Sequence, residues 1–114
     1  MNTDKFHSTV KLVTDLLAKK QYDEVVKLSN GVRLTPVELE KAVKDYGREI
    51  IPMPQEGFYK IDVIEVEGGN PRKWSVNVPI YTKEEGMSDL TLELTLIETG
   101  QSHFRVEVDD LHVL

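Results

Sequence analysis

Hydrophobic and polar residues alternate through most of the second half of the chain. Trp74, Val76, Val78 and Ile80 form one apolar row; Leu90, Leu92, Leu94 and Leu96 form a second; Phe104, Val106 and Val108 form a third. Period-two alternation puts each row on one face of a strand. Strands are therefore expected over Trp74–Tyr81, Asp89–Ile97 and His103–Asp109. Phe58–Val66 predicts a further strand with a slip in it. Ile61 and Val63 share one parity, and Ile64 and Val66 share the other, as a bulge or cover on both faces would produce. Gly68-Gly69-Asn70-Pro71 and Thr99-Gly100-Gln101 read as turns, and Thr82–Ser88 as a charged loop. Pro79 removes a ladder donor, so its strand is expected at an edge or bent there.

In the first half the period becomes helical. Phe6, Val10, Val13 and Leu17 make one stripe on a helix from about Asp4 to Lys19. A short helix over Tyr22–Leu28 turns Val25 and Val26 inward, and Asn30-Gly31 reads as its stop. A third helix begins with Thr35 as N-cap, Pro36 in the first position and Glu38 closing a capping box. Leu39, Val43 and Tyr46 carry its buried stripe, and Gly47 ends it. Pro52 and Pro54 make Ile50–Gln55 an extended connector. The expected core comprises Val10, Val13 and Leu17, then Leu39 and Val43, then Trp74, Val76, Val78, Leu92, Leu94, Val106 and Val108. The fold class is thus α+β: a single domain over residues 1–114, helices at about 4–47 and sheet at about 57–114. Three helices pack on a curved four-stranded antiparallel meander, because short connections favour sequential pairing.

Composition narrows the function classes. Hydrophobic residues make up 39% and charged residues 30%, as in ordinary soluble globular domains. With 20 acidic and 14 basic residues the net charge is −6. That opposes a sequence-independent grip on nucleic acid, which relies on neutralised phosphates, and suits a basic protein partner. The absence of cysteine excludes disulfides, zinc–thiolate sites and thiol catalysis. Met1–Lys20 has no continuous apolar stretch of a secretory signal, and no run approaches the roughly 20 apolar residues of a membrane span. A cytoplasmic protein that does not bind membranes is the expectation.

Two groups of residues could carry chemistry. Asp109, Asp110 and His112 are the densest polar cluster in an apolar setting. If the strand keeps its parity, Asp110 faces the core and could act as a general base, with Tyr59 or His112 beside it in a pocket between helices and sheet. If the double Asp marks a bulge, the carboxylates turn outward. The second group is Tyr81 with Glu84, Glu85 and Asp89, an aromatic beside an acidic loop that fits a recognition patch. His7, His103 and His112 are far apart and fit no ligand spacing, so neither metal nor cofactor is expected.

The run Trp74-Ser75-Val76-Asn77-Val78-Pro79-Ile80-Tyr81-Thr82, then Glu84-Glu85-Gly86 and Ser88-Asp89-Leu90-Thr91-Leu92, closing on Val108-Asp109-Asp110-Leu111-His112-Val113-Leu114, resembles a family of small uncharacterised bacterial proteins, a domain of unknown function. The resemblance carries no activity to transfer. The layout is also similar to the cystatin-like and nuclear transport factor 2-like architectures, the former fitting better because no helix is expected after residue 57. The favoured expectation is a non-catalytic protein-binding module, in its most concrete form an immunity protein that neutralises a basic bacterial toxin such as a nuclease. The alternative is a small-molecule-binding or enzyme domain with its pocket between helices and sheet. A polar outward sheet face implies a monomer or weak dimer.

Overall fold

The structure, a computed structural model, describes residues 3–29 and 33–113, and of Thr3 the backbone alone. The helix stop expected at Asn30-Gly31 and the terminal Leu114 lie outside the described residues. Helix α1 spans Thr3–Ala18, α2 Tyr22–Leu28 and α3 Pro36–Tyr46. The start of α3 follows from local chemistry. Thr35 Oγ1 accepts from the Glu38 N–H at 3.1 Å while the Glu38 carboxylate accepts from the Thr35 N–H at 3.0 Å. These bonds satisfy two donors that the helix itself leaves unpaired. At the other end Gly47 adopts φ 75°, a left-handed conformation that only glycine enters without a Cβ penalty.

Five strands follow: β1 Ile50–Ile51, β2 Asp62–Glu65, β3 Lys73–Thr82, β4 Gly86–Ile97 and β5 Arg105–Val113. All pairings are antiparallel, in the order β1-β3-β4-β5. The expected four-strand count is corrected by β1, which pairs Ile50 with Thr82 and Ile51 with Tyr81. The expected strand Phe58–Val66 shrinks to β2, because Gln55–Lys60 coils into a 3-10 helix. β2 pairs with Trp74–Asn77 of β3, on the edge that β1 occupies further along. Strand β3 is therefore interior. Pro79 is tolerated because it falls in the gap between β1 and β2, where no ladder donor is needed.

Two irregularities set what the sheet presents. Between Pro79↔Thr91 and Tyr81↔Met87 the register shifts, so that Ile80 alone stands opposite Ser88, Asp89 and Leu90. Ser88 Oγ stitches this bulge, donating to the Ile80 carbonyl at 2.6 Å and accepting from the Leu90 N–H at 3.1 Å. In the second, Glu93 pairs with Asp110 but Leu94 with Val108, leaving Asp109 as the extra residue. A one-residue bulge restarts the alternation on the opposite face.

The core lies between the helices and one face of the sheet. All twelve expected core positions are buried, Val10, Val13, Leu39, Val76, Val78, Leu92 and Leu94 completely. Phe6 of α1 meets Trp74 edge-on at 5.3 Å and Phe104 at 4.8 Å, joining the helix to β3 and to the approach to β5. Helices α2 and α3 pack against β5. Apolar side chains fill this face, and a cleft of about 350 Å³ opens at its margin, lined by Leu17, Tyr22 and Val43 of the helices and by Ile50 of β1.

Candidate functional site on the open sheet face

The acidic turn between β3 and β4 is tied to the helices. The Tyr46 hydroxyl donates to the Glu85 carboxylate at 2.8 and 2.9 Å, and the same group receives the Thr82 hydroxyl at 3.1 Å. Glu84 accepts from the Glu49 N–H at 3.0 Å, which holds its carboxyl below the usual glutamate range. Partial desolvation, then the Glu85 carboxylate that its hydroxyl serves, push the Tyr46 phenol up. Both carboxylates are exposed, yet their hydrogen bonds pin the turn to the end of α3 and to the segment before β1.

Tyr81 corrects the expected recognition patch. It is buried, at 8% exposure, and its ring lies so close to Gly57 that a Cβ there would come within 2.8 Å of it. Ile80 and Thr82 keep the core-facing parity of β3, while Tyr81 on the other side is covered by the 3-10 helix at Gly57, so the three are buried in succession. Of the four residues, only Glu84, Glu85 and Asp89 reach solvent, and Asp89 belongs to a different surface from the turn.

That surface is an open cleft of about 440 Å³ on the outward side of the sheet. Pro79 and Met87 give it apolar walls; Asp62, Asp89 and Glu93 supply carboxylates and Lys60 a single ammonium; Asn77, Ser88, Thr91 and His112 add polar edges. Met87 is half exposed although apolar. Lys60 comes from the end of the 3-10 helix; the other residues come from β2, β3, β4 and β5, where register brings them together.

Asp110 faces outward, because the Asp109 bulge intervenes, and the core-facing orientation that unbroken parity would give does not occur. It stands opposite Glu93, and its Oδ1 accepts from the Leu111 N–H at 2.9 Å. His112 Nε2 lies 2.8 Å from Glu93 Oε2, and its Nδ1 lies 3.3 Å from the Val113 carbonyl. The Val113 carbonyl does most to raise the His112 pKa; burial opposes it, and the carboxylates of Glu93 and Asp110 add to the rise. Tyr59 does not join this group: it is 77% exposed on the 3-10 helix and lines no part of the cleft. The pocket assigned to Tyr59, Asp110 and His112 between helices and sheet is thus corrected to Asp110 and His112 on the opposite face. Asp109 has its own partners, accepting from the Thr95 hydroxyl at 2.6 Å and facing Arg33 Nε at 3.8 Å.

Sequence reasoning overlooked Glu93 and Asp62. Glu93 reads as one polar position in an alternating strand, and its meeting with His112 depends on strand pairing.

A family model described as a domain of unknown function, DUF7668, matches residues 14–114. The chain belongs to that family. The match takes in every strand and all the residues of the open face, and omits the first part of α1 with Phe6. No curated protein and no solved structure matches the chain. No helix among the described residues is long and apolar enough to cross a membrane.

Proposed function

We propose that this chain is a non-catalytic protein-binding module, an immunity-type protein that covers a basic partner such as a toxin nuclease with its open sheet face. The observation that carries the reading is the outward cleft, where three carboxylates, Asp62, Asp89 and Glu93, outnumber the one lysine, Lys60, and share the lining with the apolar Pro79 and Met87. A carboxylate rim around an apolar floor suits a basic surface that also offers an apolar or aromatic anchor. The net charge of −6 supports electrostatic steering of such a partner. A cytoplasmic setting accords with this role. The acidic turn takes a lesser part, since Glu84 and Glu85 are already engaged with Glu49 and Tyr46. A second reading, a small-molecule binder, draws on the same cleft, whose volume falls within the usual range for ligand sites.

The test uses as binding partner a basic nuclease toxin domain, sought first among the genes directly upstream of this chain's own. Association is measured at low ionic strength for wild type, for Asp62→Lys with Asp89→Lys, and for Glu84→Lys with Glu85→Lys. The sheet-face pair is expected to slow association by about tenfold or more and to remove protection against the toxin. The turn pair is expected to have the smaller effect. Equal association by all three proteins, or no association by wild type, overturns the reading.

A further inference from the structure

We propose that Glu93, Asp110 and His112 form a binding site for a divalent transition metal ion of the zinc class. The inference does not depend on the protein-binding reading. One ligand atom from each of the three residues lies within 4.8 Å of the others. The bulge at Asp109 creates this group. With unbroken pairing Glu93 would face Asp109, and the side chains beyond it would fall on the other face.

The imidazole gives an independent reason. Both of its ring nitrogens face oxygens that can only accept: the Val113 carbonyl from Nδ1 and the Glu93 carboxylate from Nε2. A neutral imidazole carries one N–H. Whichever nitrogen carries it, the other directs a lone pair at an oxygen lone pair. The arrangement is satisfied by a second positive centre, either another proton or a metal ion between Nε2 and the carboxylate. In the metal-bound form Nδ1–H donates to the Val113 carbonyl and Nε2 is free to ligate. That pairing of a ligand histidine with a backbone carbonyl is the usual outer support of a metal site.

Asp110 is oriented as well. Its Oδ1 is engaged by the Leu111 N–H, which directs the carboxylate and leaves the second oxygen for the ion. One imidazole and two carboxylates match zinc and its first-row neighbours better than calcium or magnesium, which favour all-oxygen shells. Tetrahedral zinc with ligands at about 2.0–2.1 Å holds them about 3.3 Å apart. The 2.8 Å contact between His112 and Glu93 would therefore open slightly on binding. Glu93 and His112 also line the cleft, so the fourth position of the ion would be reached from solvent.

The full chain, first treated with chelator and dialysed, is titrated with zinc alone by calorimetry and with cobalt alone by visible absorption. Wild type is expected to bind one ion and to give the absorption bands of a nitrogen–oxygen cobalt site. His112→Ala and Glu93→Gln are each expected to weaken zinc at least about tenfold, while His103→Ala leaves it unchanged. Circular dichroism checks the fold of each variant; if His112→Ala fails to fold, Glu93→Gln and Asp110→Asn decide. Absence of binding at millimolar zinc overturns the proposal. So does an affinity that survives these substitutions or depends equally on His103.

Discussion

The helix-covered face of the sheet and its open face are built from alternate residues of the same strands, and they are held to different standards. On the covered face Val76, Val78, Leu92 and Leu94 are completely buried, and each packs among other apolar side chains. On the open face, Ser75, Asn77, Glu93 and His112 keep contact with solvent. The covered face needs only apolar residues of about the right size at the right period. The open face needs particular residues at particular pairings, because a carboxylate and an imidazole do something together only within hydrogen-bond reach. The bulge at Asp109 acts on this second requirement, because it carries Asp110 outward beside Glu93.

The most direct way to break the comparison is to truncate one residue on each face of adjacent rungs. Leu94 pairs with Val76, and the next rung pairs Thr95 with Ser75. Leu94→Ala should lower stability by about 2–5 kcal/mol, through lost burial and the cavity it leaves. Ser75→Ala, exposed and on the other face, should stay within about 0.5 kcal/mol of wild type. Urea midpoints measure both. Similar midpoints for the two variants would mean that the faces do not differ as described.

The same contrast explains what could be read from the sequence. The core was legible because its signal is local and repeated: a buried position recurs every second residue in Leu90–Leu96 and every third or fourth in Phe6–Leu17. The cap of α3 was legible because Thr35, Pro36 and Glu38 act within one helical turn. The strand Ile50–Ile51 is too short to show a period, and it exists because Tyr81 and Thr82 offer a free edge. Gln55–Lys60 carries no helical stripe, and only the close approach of Gly57 to Met53 and Tyr81 shows why the chain coils there. The group of Glu93, Asp110 and His112 was illegible for a related reason. Its members meet across a ladder, and the double Asp signals a bulge without telling which carboxylate it turns towards Glu93.

A smaller effect concerns the acidic turn, which lies at the margin between the faces. Tyr46→Phe removes the hydroxyl shared by both oxygens of Glu85 while keeping the ring. A single hydrogen bond at an exposed site is worth roughly 0.5–1 kcal/mol. The sharper readout is local. The Lys83 N–H, bonded to the Glu49 carbonyl at 2.9 Å, should exchange with solvent faster in the variant than in wild type. Unchanged protection there would show that Tyr46 does not hold the turn, and would return Glu85 to the pool of carboxylates open to a partner.

The smallest expected effect tests whether charges beside the covered face are bonded more firmly than those on the open face. The Lys5 ammonium lies 2.6 Å from Glu98 Oε1 and 4.3 Å from the Phe104 ring centre, beside the aromatic cluster of Phe6 and Trp74. The bond from Lys5, followed by those from the Gly100 and Thr99 N–H groups, holds the Glu98 carboxyl below its ordinary range. A carboxyl depressed in the folded state contributes stability above its unfolded pKa, and the contribution is lost as the pH falls through the folded value. Wild type should therefore exceed Glu98→Gln in stability at neutral pH. The difference should shrink as the pH drops below about 4, where an ordinary glutamate becomes protonated. Glu65, held low by Arg72, and Glu84 contribute their own acid dependence to both proteins, so the difference between the two isolates Glu98. Thermal midpoints across the acid range measure it. A constant gap from neutral to acid pH would show that Glu98 gains nothing from Lys5 in the folded state, leaving the aromatic cluster alone to hold that corner of the covered face.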